Sequence, residues 1–125
     1  MGDYSLPKEQ RMSGRTAIER LFAEGAGGFV YPLRYVLLVD KEMPAGISVL
    51  VNVSKKFHKR AVKRNLLKRR MREAFRTQNE AVKELALQKG ARINIALLYS
   101  IKEVVEFEKI RDAVGKIFTQ VIERV

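Results

Sequence analysis

The sequence predicts an α/β (α+β) fold with elements in the order helix, strand, strand, helix, strand, helix. Three observations carry that reading. FVYPLRYVLLVD, ISVLVNV and RINIALLY are short segments rich in β-branched, aromatic and aliphatic residues, as strands are. From Ala61 to about Gln88 there is no Pro and no Gly, and Ala, Leu, Arg, Lys, Glu and Gln dominate, which favours a long helix. Near the C-terminus Phe107, Ile110, Val114, Phe118, Val121 and Ile122 repeat at helical spacing. The chain has 125 residues and 46% hydrophobic content. That length suits one domain with a single core over residues 1–125, and the composition is too apolar for a disordered basic tail.

Taken in order, residues 1–14 are polar, carry Gly2, Pro7 and Gly14, and read as a loose arm. TAIERLFAEG follows as a short helix. Thr16 and Glu19 have capping-box spacing, Gly25 is the expected stop, and Ile18, Leu21 and Phe22 would share one face. Gly25–Gly28 reads as a flexible connection. The first strand then spans Phe29–Asp40, with Pro32 near its start or on an edge because proline donates no ladder hydrogen bond. KEMPAG supplies a turn, and Ile47–Val53 is expected to run antiparallel to the first strand.

The long helix, ended by Gly90, places Leu67, Met71, Ala74, Phe75, Val82 and Leu85 on one stripe at about 100° per residue. Asn65, Lys68, Arg69, Arg72 and Arg76 fall on the adjacent face, and Lys63 and Arg70 flank the stripe on its other side. Arg92–Tyr99 is the third strand and Phe107–Arg124 the last helix.

Charge is distributed unevenly. Between Lys55 and Arg76 stand eleven Lys/Arg residues and a single acid, Glu73. The rest of the chain holds fourteen bases against thirteen acids, so nearly all of the net +11 sits in this segment. Ordinary charged helix faces mix signs and form i,i+4 pairs. An unmixed run asks for an external polyanion, with affinity that falls steeply as salt rises. Charge alone does not separate RNA, DNA and anionic lipid. The apolar stripe beside it, however, is needed to cover the strands, which argues against a membrane-surface helix.

Other chemistry is sparse. The chain has no cysteine, which removes disulfides, thiol catalysis and Cys-based zinc sites, and is compatible with a reducing cytoplasm. MGDYSLPKEQRMSG has no apolar core of a signal peptide, and no apolar run approaches the ~18 residues of a membrane span. His58 is the sole histidine and reads as a phosphate contact or a surface residue. Phe22, Phe29, Tyr31 and Tyr35 have rings that could stack on bases, although aromatics at such spacings are more often core. Glu103, Glu106, Glu108 and Asp112 face the positive end of a helix rather than forming a metal site. No nucleophile, general base or Walker-type pattern emerges. The residues alone describe an RNA-binding protein that is not itself a catalyst.

The order VSKK, then AVKRNLLKRRMREAFR, resembles the signature of the bacterial ribonuclease P protein component. Val53, Ser54, Lys55 and Lys56 match its first part; Ala61, Val62, Arg64, Asn65, Lys68, Arg69, Arg72, Ala74 and Phe75 match its second. Arg11, Ile18, Phe22 and Gly25 fit the family's N-terminal arm and first helix. The resemblance implies a two-layer sandwich with a mixed sheet and a left-handed β-α-β crossover, of the kind seen in the second domain of ribosomal protein S5. It also implies a cytoplasmic subunit of a ribonucleoprotein endonuclease that removes the 5′ leader of precursor tRNA. The RNA subunit would hold the magnesium ions and perform the hydrolysis, and the protein would bind no cofactor. The partners would be ribonuclease P RNA and precursor tRNA, with no membrane and no further protein copy. A ribosomal or general RNA-binding protein on a similar fold is the alternative.

Carried over by position, the RNA contact falls on Arg64, Asn65, Lys68, Arg69 and Arg72, supported by Lys55, Lys56, Arg60, Lys63 and Arg76. A cleft for the single-stranded leader falls on Arg11, Ile18, Phe22 and the sheet face carrying Tyr35. Three positions depart from the common pattern. Leu66 replaces the second Arg of the R-N-R triplet. The link FHKR, which includes His58, Lys59 and Arg60, is one residue longer than usual. Ile18 and Leu38 stand where cleft aromatics are common, so stacking on leader bases should be weaker.

Overall fold

The computed structural model describes Gln10, Met12 and residues 14–125. The elements are α1 (Arg15–Glu24), β1 (Ala26–Val30), β2 (Leu33–Asp40), β3 (Gly46–Val53), α2 (Ala61–Gln78), α3 (Glu80–Lys89), β4 (Arg92–Tyr99) and α4 (Phe107–Arg124). The four strands form one mixed sheet in the order β1-β2-β4-β3. β1 with β2 and β2 with β4 are antiparallel; β3 and β4 are parallel, joined by a crossover through α2 and α3.

Side chains alternate across the sheet, and the alternation defines two unlike faces. Leu33, Tyr35 and Leu37 of β2, Ile47, Val49, Val51 and Val53 of β3, and Ile93, Ile95, Leu97 and Tyr99 of β4 are buried together with the helices. Leu67, Met71, Ala74 and Phe75 of α2, Val82 and Ala86 of α3, and Ile110, Val114, Ile117, Phe118 and Val121 of α4 close this core. The Phe75 and Phe118 rings meet edge to face, 5.3 Å between centroids. The opposite face is lined by Arg34, Val36, Leu38 and Asp40 and is only partly covered, by α1, whose buried residue is Leu21.

Several expectations are corrected. The single strand expected over Phe29–Asp40 is a hairpin: β1 already begins at Ala26, and the chain turns at Tyr31–Pro32, a cis peptide. The glycines expected to be a flexible connection therefore lie in a strand. Gly28 pairs with Tyr35 and lies beneath its ring; a Cβ there would come within 2.4 Å of the ring carbon. That close approach is why a glycine occupies the strand interior.

β3 does not pair with β2, because β4 lies between them. The physical reason is legible in β4 itself: Ile93, Asn94, Ile95, Ala96 and Leu97 are all buried, the continuous burial of a strand covered on both faces and both edges. The Thr16–Glu19 capping box does not form. Gly14, at φ 93°, takes the N-cap, the Ile18 N–H reaches the Gly14 carbonyl, and Glu19 instead accepts from Arg15 at 2.8 Å. Gly25 does end α1, its N–H donating to the Leu21 carbonyl.

The long helix breaks at Asn79. Just before the break, Thr77 Oγ1 donates to the Glu73 carbonyl, and Gln78 Nε2 donates to the carbonyls of Ala74 and of Arg111 in α4. Side chains here compete for the helical backbone acceptors. Asn79 is buried, and its amide donates to Gln10 Oε1 at 3.4 Å. α3 then ends at Gly90 in the left-handed region, as its residue type demands. Most of the expected loose arm lies outside the described residues. Where it is described it is anchored: Gln10 is buried and the Met12 N–H donates to the Val49 carbonyl of edge strand β3.

α1 is tied to the sheet by an ion pair from Arg20 to Asp40, whose side chain is only 4% exposed. The Glu42 N–H, 2.9 Å away, and then the Arg20 guanidinium hold the Asp40 carboxyl below the ordinary carboxylate range, against burial, which pushes it up. A lowered folded-state value means the stabilisation is complete above the unfolded value, about 3.8, and is lost as pH falls through the folded one. Asp40→Asn should therefore be less stable than wild type at pH 7, and the gap between their urea midpoints should narrow progressively as the pH falls below about 3.8.

Candidate nucleic-acid interface

The basic face is built by the burial of its opposite side. Leu67, Met71, Ala74 and Phe75 are fully buried, one per helical turn or half-turn, and this sets the rotation of α2 about its axis. Lys63, Asn65 and Arg69 are left exposed, with Lys68, Arg72 and Leu66 half-buried at the margins. Lys55, Lys56, Lys59 and Arg60 extend the exposed basic surface N-terminally from the helix. Glu73, the only acid of the segment, pairs with Arg76 at 2.7 Å. Arg76 thus sits in a locally compensated environment at the far end of the face.

Two arginines of the segment hold loops. Arg64 directs Nη1 to the carbonyls of His58 and Lys59, at 2.9 and 2.7 Å, and so shapes the β3–α2 link. Arg70 directs Nη1 to the Val105 carbonyl at 2.9 Å and pins the link between β4 and α4. The sequence pattern assigns Arg64 to RNA; in the structure one of its amino groups is already engaged in folding the loop that presents Lys59 and Arg60.

His58 is neither a surface residue nor a free phosphate contact. It is 5% exposed, its Nε2–H donates to the Ile101 carbonyl at 2.7 Å, and its ring meets Tyr99 edge-on at 5.6 Å. The Tyr99 hydroxyl donates to the Glu103 carbonyl and accepts the Val105 N–H at 3.0 Å. Burial is the main cause that raises the Tyr99 hydroxyl above its ordinary value. His58 and Tyr99 together clasp the β3–α2 and β4–α4 links against each other. This brings Lys102 beside the basic segment, a cation that sequence position, 26 residues after Arg76, gave no reason to include.

The second candidate region is the partly covered face of the sheet. Ile18 and Phe22 lie one turn apart on α1; Ile18 is half-buried and Phe22 is 46% exposed. Leu38 lies on this face with Val36, as the pairing register requires. Tyr35 does not. Strand alternation turns it to the helix-covered core, where it is 1% exposed, its hydroxyl donates to Gln120 Oε1 and its ring lies under Arg124 at 5.7 Å. The residues that do line the sheet beside α1 are its even-numbered neighbours. Arg34 pairs across to Leu98 and to Phe29, and these three border a depression of about 360 Å³ together with Val36, the β1 glycines and the edge of Tyr35. Phe29 is 54% exposed there. Arg11 lies outside the described residues. Among the described residues no helix is long and apolar enough to cross a membrane.

Comparison with known proteins gives a consistent result. The model of the Ribonuclease P family matches residues 6–122. The ribonuclease P protein component of Porphyromonas gingivalis is 35% identical over 114 residues, 90% of this chain and 83% of that protein. That of a Picosynechococcus species is 31% identical over 115 residues, 92% of each chain. Among solved structures, the Staphylococcus aureus RNase P protein superposes with a TM-score of 0.69 at 18% identity, over 90% of this chain and 94% of that one. The Thermotoga maritima RNase P protein gives 0.69 at 24% identity, over 88% and 96%. These two share the fold: a mixed sheet with helices packed as described above. On the family match and the near full-length relatives, the chain belongs to the ribonuclease P protein family, the protein subunits of the ribonucleoprotein that matures the 5′ ends of tRNAs and whose RNA carries the chemistry.

Proposed function

We propose that this subunit docks onto ribonuclease P RNA through the exposed face of α2 and the link before it, and holds the 5′ leader of precursor tRNA between α1 and the partly covered sheet face. The observation that carries the first half is the burial of Leu67, Met71, Ala74 and Phe75, which leaves Lys63, Asn65 and Arg69 in solvent on an ordered scaffold. Cations carried on a preformed helix neutralise phosphates without the cost of ordering the backbone, and each releases condensed counterions from the RNA. Asn65, among them, has a donor and an acceptor to offer a base edge or a 2′-hydroxyl. Magnesium belongs to the RNA active site in this reading; the protein's cations reduce the concentration needed to fold and hold the RNA with its substrate. We place the complex in the cytoplasm, with one protein copy on the RNA.

The leader half rests on geometry and residue type. Ile18 and Phe22 on α1 offer apolar surface, as do Val36 and Leu38 on the sheet face that α1 partly covers, and Arg34 on that face adds a cation. An unpaired strand can lay bases on such a surface while its backbone meets the positive charge. The Arg20–Asp40 pair keeps α1 at its distance from the sheet.

Reconstitution with a bacterial ribonuclease P RNA tests the whole. Precursor tRNA should be cleaved at low magnesium only when RNA and protein are both present, and cleavage by the protein alone would overturn the reading. Arg69→Ala should weaken binding to the RNA by about 1–3 kcal/mol in a filter-binding titration at moderate salt. Leu66→Arg should steepen the dependence of log K on log salt by about 1, as expected for one added phosphate contact; an unaltered slope would mean that position does not face phosphate. Phe22→Ala should leave affinity for mature tRNA unchanged and lower affinity for leader-bearing tRNA, by about 1–3 kcal/mol if one base stacks there.

A further inference from the structure

A second basic site is formed where α2 begins; it adjoins the outward helix face, with which it shares Lys63. Two links meet there: residues 54–60 before α2 and residues 100–106 before α4. The His58–Ile101 hydrogen bond and the His58–Tyr99 ring contact hold them together from below. Between them lies a depression of about 330 Å³. Lys56, Lys59, Arg60 and Lys63 border it on one side and Lys102 on the other, and no carboxylate lines it. Among the described residues, none of these five cations makes an ion pair.

The lining is not purely ionic. Phe57, half-buried, and Val104, 41% exposed, supply an apolar wall. The Lys56 ammonium lies 5.7 Å from the centre of the Phe57 ring, so charge and ring face are presented side by side. A bare anion would use the cations and leave the apolar wall in water. A nucleotide would use both, and the volume falls in the range of small-ligand sites, about 300–1,000 Å³.

We propose that this depression is a nucleotide subsite for the RNA subunit: one backbone phosphate sits among Lys59, Arg60 and Lys102, and the adjoining unpaired base lies against Phe57 and Val104. The proposal rests on the reading of α2 as the docking face and extends that interface around the start of the helix onto the β4–α4 link.

The test uses the full-length protein with intact ribonuclease P RNA. Lys59 and Lys102 are exposed, so the double variant Lys59→Ala/Lys102→Ala should fold as wild type does. It should bind the RNA subunit about tenfold more weakly at moderate salt and flatten the salt slope by about 1, the share of the one phosphate that the two lysines help to neutralise. Lys83→Ala, at an exposed lysine of α3, is the reference for a non-specific change of charge. If the double variant binds like Lys83→Ala while Arg69→Ala is weakened, the subsite is wrong and the docking face stands. If Arg69→Ala is also unaffected, the docking reading itself fails. A loss confined to precursor tRNA would overturn the assignment to the RNA subunit. A photoreactive side chain at residue 104 should cross-link to one nucleotide of the RNA subunit; no cross-link in the assembled complex would overturn the base contact.

Discussion

The rotation of α2 about its own axis is the constraint on which the interface depends. A helix with eleven cations in and before it could in principle present them in any direction. Packing of Leu67, Met71 and Phe75 against the sheet and α4 removes that freedom, because turning the helix would expose side chains that are now fully buried. Each such residue resists exposure by about 1.5–3 kcal/mol of transfer free energy. The edge-to-face contact of Phe75 with Phe118 then couples α2 to α4, and Gln78, bonded to the Arg111 carbonyl, couples them again at the far end. Cations carried by this core stand on a helix of fixed orientation, which a merely basic tail lacks and which the proposed docking needs.

The same core uses part of the basic segment for itself. Arg64 and Arg70 each direct a guanidinium nitrogen to backbone carbonyls of neighbouring links, and Arg76 pairs with Glu73. An arginine is suited to both tasks, since its planar fork has donors enough to bind a carbonyl on one edge and leave another edge outward. The clasp of His58 and Tyr99 depends on these loops being in place. Its buried hydroxyl and ring nitrogen are both satisfied by backbone groups, as buried polar atoms need to be.

Sheet alternation makes the second division. Because neighbouring residues of β2 point to opposite faces, a shift of one position decides between core and cleft. Tyr35 is core, and Arg34, Val36 and Leu38 lie on the opposite face, which α1 partly covers. Gly28 and Tyr35 are matched across the β1–β2 pair, the ring lying where no side chain intervenes. Asp40, at the end of the same strand, fixes α1 over the open face through Arg20.

Local periodicity was enough to read much of this from the chain. The Leu67–Met71–Ala74–Phe75 stripe, the strand Arg92–Tyr99, the last helix and the stop at Gly90 are all determined by residues within a few positions of each other, because helix and strand periods are local properties. The signature residues around Arg64 and Asn65 were legible through their resemblance to the family's motif. What the sequence by itself did not determine is which elements become neighbours. The insertion of β4 between β2 and β3 and the break at Asn79 depend on contacts between residues far apart in the chain, such as Asn79 with Gln10 and Gln78 with Arg111. Burial of His58 and the arrival of Lys102 at the basic segment belong to the same class. Only the tertiary structure decides them, because a hydrogen bond or a buried ring selects its partner by position in space, and sequence distance does not encode that position.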